Sequence, residues 1–403
     1  MNNNWKKNII LFLASQTISL FGSSLVQYAI MWYITLETKS GVMMTISIIC
    51  GFLPTFFLSP FAGVWADRYN RKTLIILSDS MIALATLTLA ILFYNGYDML
   101  WLLFVMSAVR ALGSAVQMPA IGAYLPQIVP VDKLTKVNAT NSSIQALVML
   151  ISPMLSGALL TMATIEVIFF IDVITAIIAV FVLLIFLHVP THTKALQKQK
   201  VSYFSDLKEG FMYIKNHEYI KKFFLFSAFF FLLASPVAFL TPLQVVRSFG
   251  DDVWRLTVIE ITFSLGMIIG GILMASWGGF KNKVHSMTFA SLLIGVGTFT
   301  LGIIPIFWIY LIIMGFVGIA IPIFNTPATV LLQEKVEEDF LGRVFGVLSM
   351  ISSVMMPLGM LLFGPLSDLI KIEWLLIFTG LLMIIEGFFM FSSKVLILAG
   401  KPN

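Results

Sequence analysis

Long apolar segments alternate with short polar ones along this chain of 403 residues. Twelve windows are apolar over roughly 20 residues, the length that a helix needs to cross the hydrocarbon core of a bilayer. The pattern therefore predicts an all-α integral membrane protein with twelve transmembrane helices. The predicted spans are 9–36, 41–66, 73–94, 99–124, 137–161, 166–188, 220–246, 256–278, 285–304, 307–331, 343–369 and 373–393.

One connection is much longer than the others and divides the spans six and six. It predicts an N-terminal bundle over 1–188, a cytoplasmic linker over 189–219 and a C-terminal bundle over 220–403. Within the linker, apolar residues recur at helical spacing and predict an amphipathic helix on the inner membrane face, with a connecting role favoured over a regulatory one. These residues are Phe204, Leu207, Phe211 and Ile214.

The two halves share short matched segments at equivalent loops. After spans two and eight, Trp65, Asn70 and Arg71 correspond to Trp277, Asn282 and Lys283. After spans four and ten, Pro119-Ala120 corresponds to Pro327-Ala328. Such matches predict two pseudo-symmetric six-helix bundles that descend from one ancestor, as in transporters with parallel repeats.

Composition and charge agree with a membrane location. Hydrophobic residues make up 59% of the chain and the mean hydropathy is +0.97, more than a soluble fold can bury. With the N-terminus inside, twenty of the 25 basic residues fall on inner segments and four on outer loops. Both termini are therefore expected in the cytoplasm, the first span is retained, and the net charge of +5 does not indicate a nucleic-acid partner.

The residue types that would build a disulfide framework or a metal site are scarce. The chain has one cysteine, Cys50, inside an apolar span. Its four histidines, at 188, 192, 217 and 285, lie at or beyond span ends without metal-ligand spacing. We expect no disulfide and no metal.

A cluster of charged residues occurs in the segment GVWADRYNRK, residues 63–72, between spans two and three. Its basic residues obey the positive-inside rule and could serve topology alone. Asp67 does not help topology, which favours a function. In the second half Gly279 stands at the position of Asp67, so that copy has lost its carboxylate.

Charged residues within the spans are the main functional candidates, because a charge in the bilayer core costs at least a few kcal/mol. Arg110 lies near the middle of span four and must face a cavity or a partner. It could tune the proton affinity of a neighbouring carboxylate or contact the substrate. The acidic candidates are Asp79, Asp172, Glu260 and Glu386. Asp79 could instead pair with the basic loop at 68–72.

Small residues mark two further spans. Gly266 and Gly270 form a small-xxx-small pair that predicts close packing against a neighbouring span. In span five, Pro153, Ser156 and Gly157 belong to the segment SPMLSG, in which small residues permit close packing and proline kinks the helix.

Over nearly its whole length the sequence resembles the major facilitator superfamily. The loop motif G-x-x-x-D-R-x-G-R-K/R of that family appears as Gly63, Asp67, Arg68, Arg71 and Lys72. Asn70 replaces the second glycine, and because asparagine tolerates left-handed backbone better than most residues, a tight turn is still expected there. SPMLSG resembles a degraded motif of proton-coupled exporters. Segments such as "MPAIGAYLPQIVP", "FIDVITAIIA" and "GRVFGV" resemble the macrolide-efflux-like branch.

The resemblance implies a drug exporter in the cytoplasmic membrane, with its two bundles rocking about a central cavity. Hydrophobic or amphiphilic small molecules, such as antibiotics, would leave in exchange for protons. No cofactor is expected, and the protein would be a monomer in lipid. Asp172 and Glu260 are the favoured cavity-facing acids, because similar positions are acidic in that branch. Glu386 is expected to pack or face lipid, since span twelve is usually peripheral in the fold.

The resemblance also implies a conformational latch. Asp67 would dock near Gly342 and Arg343, at the start of span eleven, where a helix N-terminus favours an anion. This contact would hold the cytoplasmic side closed.

An exporter of an endogenous product, such as a siderophore or a lipid, is the alternative. An integral-membrane enzyme or a sensor is disfavoured, because no catalytic constellation and no additional soluble domain is evident. No G-x-x-x-x-G-K-[ST] loop for nucleotide-driven transport occurs.

Overall fold

The computed structural model describes residues 5–130, 133–187 and 203–401. Within these ranges the secondary structure is helical, and no strand is present. The first six helices are α1 (Trp5–Thr38), α2 (Gly41–Arg68), α3 (Arg71–Tyr94), α4 (Leu100–Ile128), α5 (Leu134–Met162) and α6 (Ile165–Phe186). Each is long and apolar enough to cross a membrane.

The remaining helices include six further spans and two short elements. They are α7 (Tyr203–Asn216), α8 (Glu218–Phe239), α9 (Thr241–Ser248), α10 (Val253–Trp277), α11 (Lys283–Leu301), α12 (Phe307–Lys335), α13 (Glu338–Leu369), α14 (Ile372–Ser392) and α15 (Lys394–Ala399). The described chain thus contains the twelve predicted spans, which confirms the predicted fold class.

The seventh span differs from its prediction because it consists of two helices. The sequence predicts one continuous span over 220–246, whereas α8 ends at Phe239 and α9 begins at Thr241. Pro242 lacks an amide hydrogen and occupies the start of α9, where helices tolerate proline best. The break leaves Arg247 in the last turn of α9.

The chain forms two compact units. Unit 1 contains residues 1–34 and 46–201, and unit 2 contains residues 35–45 and 202–403. In unit 1, α3 packs against α4 and α6, and the Phe12 and Tyr124 rings meet at 4.9 Å. In unit 2, α12 packs against α10 and α11, and α13 packs against α8.

The glycine pair in α10 packs as the sequence predicts. A Cβ built on Gly266 would lie 2.3 Å from the carbonyl oxygen of Gly315 on α12, and one on Gly270 would lie 2.3 Å from that of Ile319. Contacts this short leave no room for a side chain. These two glycines therefore let the backbones of α10 and α12 touch.

The predicted packing segment of α5 also faces the protein interior. Pro153, Ser156 and Gly157 are buried, and the Ser156 hydroxyl donates to the carbonyl oxygen of Leu25 on α1 at 3.1 Å. The hydrogen bond satisfies a buried hydroxyl and joins the two helices.

The linker helix α7 forms as predicted, and it belongs to unit 2, where it packs against α8 and α13. Tyr213 and Ile214 are buried in a cluster with α8 and α13, and the Tyr213 ring stacks on Phe340 at 4.4 Å. Glu209 pairs with Arg343 at 3.2 Å, while Phe211 is half-exposed. The side chains of Phe204 and Leu207, also assigned to the apolar face, lie outside the described part.

Candidate functional site

Seven polar side chains meet inside unit 1, between four apolar spans. We call them the buried polar cluster. They occupy one face of α1, α3 and α4 at spacings of four or seven residues, which helical geometry brings to the same side, and they are completed by one residue of α6. The members are Ser19 and Ser23 on α1, Asp79 and Thr86 on α3, Arg110 and Gln117 on α4, and Asp172 on α6.

An ion pair forms one layer of the cluster. Arg110 Nη1 lies 2.6 Å from Asp172 Oδ2. Asp172 is 0% exposed and the side chain of Arg110 is 11% exposed. The pair places a full guanidinium–carboxylate contact in the interior of the spans, where one charge without the other would be costly.

Neutral donors and acceptors complete this layer. Thr86 donates to Asp172 Oδ2 at 2.8 Å, and Ser23 donates to Oδ1 at 3.2 Å. Arg110 also donates to the Ser23 carbonyl oxygen at 3.3 Å and contacts the Thr86 hydroxyl. Both oxygens of Asp172 are therefore occupied, and the carboxylate is held between three helices.

The approach of α1 to α6 depends on a glycine. A Cβ built on Gly22 would lie 2.0 Å from Thr175 Oγ1 and 3.0 Å from Asp172 Cα. Only a residue without a side chain lets the two helices come this close. Gly22 thereby positions Ser23 against Asp172.

Asp79 forms the second layer, about two helical turns along α3 from Thr86. Its Oδ1 accepts hydrogen bonds from Ser19 at 2.7 Å and from Gln117 at 2.6 Å. Its Oδ2 is buried and accepts none from the described residues. The amide of Gln16 is also buried and lies beside this carboxylate as a further neutral group. Asp79 is 1% exposed, and the side chains that face its carboxylate from Ser19, Gln117 and Gln16 are neutral.

The structure corrects two expectations for these acids. Asp79 could have paired with the basic loop, but it contacts Ser19 and Gln117 because α3 turns it inward. Asp172 was expected to face a cavity, but it is fully buried because Arg110 and Thr86 enclose it.

Two other acidic candidates lie in unit 2, outside the cluster. Glu260 is half-buried on α10, and no described side chain donates to it. Glu386 is half-buried on α14, and its Oε2 atom is buried without a hydrogen-bond partner in the described chain. Nothing in the described structure joins either carboxylate to a cation.

The charged turn at 63–72 is held by its basic residues. Arg71 donates to the carbonyl oxygens of Ala66 and Ala123 at 3.0 and 2.9 Å. Lys72 donates to the carbonyl oxygen of Leu187 at 2.7 Å. These cations thus satisfy carbonyl groups near the ends of α2, α4 and α6, where helices leave acceptors unpaired.

Asn70 lies in the two-residue turn between α2 and α3, without a left-handed backbone. Its φ is −63°, and its side chain caps α3 by accepting hydrogen bonds from the backbone of Lys72 and Thr73. Asparagine is favoured at this position because its short side chain satisfies unpaired amides. Asn282 caps α11 in the same way, through Val284, so the matched turns share their capping geometry.

The other motif residues are placed as follows. Arg68 ends α2 and is exposed. A Cβ built on Gly63 would meet no described atom within 4 Å, so local packing does not require glycine there. The side chain of Asp67 lies outside the described part, so its expected docking stays a prediction.

Sequence reasoning missed the neutral members of the cluster. Ser19, Ser23, Thr86 and Gln117 carry no charge and stand out only as polar residues recurring on one helix face within apolar spans. Among the described residues, no group of three or more His, Cys, Asp or Glu side chains could hold a metal ion. His188 and His192 lie outside these residues.

Known proteins resemble this chain over nearly its full length. Macrolide efflux protein A of Streptococcus pyogenes is 28% identical over 95% of this chain and 95% of its own, which confirms the predicted resemblance to the macrolide-efflux-like branch. The staphyloferrin A transporter of Staphylococcus aureus (strain NCTC 8325 / PS 47) is 24% identical over 90% of each chain.

Solved structures share the fold. A bacterial homologue of the human lysosomal transporter Spinster, in an inward-facing state, matches with a TM-score of 0.73 and 14% identity over 100% of this chain and 99% of its own. A bacterial homologue of the iron transporter ferroportin matches with a TM-score of 0.69 and 14% identity over 96% of this chain and 99% of its own. The family model of the Major Facilitator Superfamily matches residues 12–360. With twelve spans and that match, the chain belongs to the Major Facilitator Superfamily and is a multi-pass membrane transporter.

Proposed function

We propose that this transporter exports hydrophobic or amphiphilic small molecules, such as macrolides, across the cytoplasmic membrane in exchange for protons. Its similarity to macrolide efflux protein A supports the direction and the cargo class. The protein would work as a monomer with both termini in the cytoplasm, as the distribution of basic residues favours. The proton gradient would be its only source of energy.

One observation supports the proposed proton coupling. The buried polar cluster contains two carboxylates but one guanidinium. Arg110 pairs with Asp172 at 2.6 Å, which leaves Asp79 in contact with the neutral groups of Ser19 and Gln117. A buried charge without a counter-charge is expensive inside a membrane protein. The cluster therefore favours a proton on Asp79 whenever no cation replaces it.

The two acids would have different roles. Asp79 would take up a proton from outside and release it into the cytoplasm as cargo binds. Asp172 would keep Arg110 oriented, so that the positive charge of Arg110 can respond when Asp79 becomes negative. The two acids lie on neighbouring helices of one compact unit. A change in the charge of Asp79 would therefore act on Arg110 and Asp172 over a short distance, in a medium of low dielectric constant.

Export of an endogenous siderophore is the second candidate, favoured by the similarity to the staphyloferrin A transporter. An anionic cargo would need basic groups to receive it. In the described part of unit 1, the basic residue inside the spans is Arg110, and Asp172 already engages it. This pairing favours neutral or cationic cargo over a polyanion.

Uptake into energised inside-out vesicles tests the proposal, because an exporter fills such vesicles with its cargo. We expect a panel of amphiphilic antibiotics, including a macrolide, to accumulate when the vesicle interior is acidified. Collapse of the proton gradient by an ionophore should abolish the accumulation. Accumulation that survives the collapse, or that requires a sodium gradient instead, would reject proton coupling.

The cargo class is tested in the same vesicles. An anionic siderophore is added in place of the antibiotics at matched concentration. Accumulation of the siderophore alone would replace the first candidate by the second. Vesicles with Arg110→Ala protein, at matched amounts in the membrane, provide the background for both assays.

A further inference from the structure

A second polar site lies in unit 2, far in sequence from the buried polar cluster. It joins the turn between α1 and α2 to the C-terminal end of α13. Asp368 accepts hydrogen bonds from the backbone amides of Gly41 and Val42 at 2.7 and 3.0 Å, and from the Ser40 hydroxyl at 2.7 Å. The carboxylate of α13 thus caps the N-terminus of α2, a helix with no acidic residue of its own in the first turn.

Arg247 of α9 ties the same two elements together. Its Nη2 atom lies 2.6 Å from Asp368 Oδ1. Its Nε atom donates to the carbonyl oxygen of Lys39 at 3.1 Å, and Nη1 donates to that of Ser367 at 2.5 Å. Lys39 has a φ of +47°, which turns its carbonyl group toward the guanidinium. The bonds are charge-assisted and therefore stronger than neutral ones.

Two glycines bring the backbones into contact at this site. A Cβ built on Gly41 would lie 2.3 Å from the carbonyl oxygen of Gly364, and one on Gly364 would collide with Thr45 Oγ1. The Thr45 hydroxyl donates to the carbonyl oxygen of Met360 at 3.0 Å. Small residues at both positions are thus required for this approach of α2 to α13.

The sequence of α13 repeats a pattern found at the end of α2. Gly364 and Asp368 have the G-x-x-x-D spacing of Gly63 and Asp67 in the charged turn. In both helices the aspartate lies at the C-terminal end. On the predicted topology, the end of α2 lies on the cytoplasmic side, and the end of α13 lies on the outer side.

We propose that Ser40, Gly41, Arg247, Gly364 and Asp368 form an outer clamp, which holds the α1–α2 turn on α13 while the outer side is closed and releases it when cargo leaves. Opening requires the hydrogen bonds between Asp368 and the two backbone amides of α2 to break. Those amides then form hydrogen bonds with water. The outer clamp concerns the conformational cycle alone. It depends neither on the identity of the cargo nor on the driving ion.

Distance measurements between spin labels test the outer clamp. In a Cys50→Ser background, labels are placed at the exposed positions Glu37 and Lys371, and the full-length protein is studied in lipid nanodiscs. In Asp368→Asn, we expect the ratio of long to short distances to rise roughly tenfold, since a charge-assisted helix cap and an ion pair are lost. An unchanged distribution in the folded variant would overturn the proposal.

A matched control removes a neighbouring charge and leaves every hydrogen bond to Asp368 in place. Asp251 pairs with Lys39 at 2.8 Å, and both side chains are about half-exposed or more, at 63% and 47%. The hydrogen bond from the Lys39 side chain lowers the pKa of Asp251, so Asp251→Asn also deletes a charge at neutral pH. An equal shift in this variant would show a general charge effect and would overturn the outer clamp.

A cross-link provides a second test that does not depend on how Asp368→Asn folds. Ser40 Oγ and Asp368 Oδ2 are 2.7 Å apart, so Ser40→Cys with Asp368→Cys should form a disulfide in the Cys50→Ser background. We expect oxidation to lower the rate of cargo transport at least tenfold and a reductant to restore it. Full transport by the cross-linked protein would contradict a clamp that has to open. Arg247→Gln, which keeps the helix cap, should shift the label distances in the same direction as Asp368→Asn but less.

Discussion

The two compact units differ in where they keep their charges. The charged side chains that are fully buried in the described chain, Asp79 and Asp172, both belong to unit 1. Unit 2 instead has ion pairs at the two ends of α13, Arg343 with Glu209 and Arg247 with Asp368. The two units thus differ: unit 1 has charges in its interior, and unit 2 has ion pairs at the ends of a helix.

The backbones of the matched turns also differ between the two units. In unit 1, α2 continues past Trp65 to Arg68 and so includes Asp67. In unit 2, α10 ends at Trp277, the residue equivalent to Trp65, and Gly278 and Gly279 take positive φ angles of 74° and 79°. Glycine favours such angles because it has no Cβ. Loss of the carboxylate thus coincides with an earlier helix end.

The strongest test of the comparison is Arg110→Ala. The change leaves Asp172 buried without its cation. Removal of one partner of a buried ion pair lowers the free energy of unfolding by roughly 3–5 kcal/mol. We expect proton-driven uptake into inside-out vesicles to fall by about 100-fold or more while the amount of protein in the membrane stays the same.

The control for this variant is Lys222→Ala in unit 2, where Lys222 forms an exposed pair with Glu218 and little change is expected. The double variant Arg110→Ala with Asp172→Ala separates structure from function. It removes both charges, so recovered stability without recovered uptake would assign Arg110 to the transport cycle. Normal proton-coupled efflux by Arg110→Ala would contradict the role of unit 1.

Asp79→Asn should uncouple transport from protons with a smaller loss. Asparagine keeps an oxygen for Ser19 and Gln117 but cannot exchange a proton. We expect uphill accumulation to fall roughly tenfold or more, whereas exchange of labelled for unlabelled cargo without a gradient should change by less than about twofold. Proton release on addition of cargo to the purified protein should disappear.

The matched variant for Asp79 is Glu386→Gln, which also neutralises a buried acid in a span, but in unit 2. It should leave both uphill uptake and exchange intact. If Glu386→Gln uncoupled transport and Asp79→Asn did not, the ion-carrying role would pass to unit 2 and the comparison would be reversed.

Asp67→Asn addresses the charged turn of unit 1. The family resemblance implies a latch that holds the cytoplasmic side closed, so its loss should shift the population toward the inward-open state by roughly three- to tenfold, the range for a charge at a helix terminus. Cysteine accessibility from the cytoplasmic side measures the shift. Glu218→Gln, which breaks an exposed pair with Lys222, is the control, and equal accessibility in both variants would contradict the latch.

The spans could be predicted from sequence because bilayer thickness imposes a length that apolar windows reveal directly. The break between α8 and α9 could not, since the apolar window runs through Pro242 without interruption. The capping role of Asn70 was not predicted, because asparagine suits both a left-handed turn and a helix cap, and only the neighbouring amides decide between them.

The site was harder to predict than the fold. The charge of Arg110 is visible in the sequence, but its partner depends on how α4 and α6 rotate against each other, which periodicity does not fix. Asp172 and Asp79 were both candidates, and their different surroundings emerge only from packing. Thr86 illustrates why neutral members escape notice. Its hydroxyl also lies 3.0 Å from the Ile82 carbonyl oxygen, a contact that threonine makes in many helices without any function.

The smallest expected effect on transport tests whether unit 2 can be weakened without disturbing the coupling in unit 1. Gly266→Ala would place a Cβ 2.3 Å from the Gly315 carbonyl oxygen, and overpacking of this kind costs about 1–3 kcal/mol. Gly271→Ala adds the same methyl group to the same helix where no described atom lies within 4 Å. We expect the first variant to lower the melting temperature in detergent and the second to leave it within error, while the ratio of cargo uptake to proton release stays unchanged in both. A changed ratio in Gly266→Ala would show that the α10–α12 contact takes part in coupling, and the division of roles between the two units would then not hold.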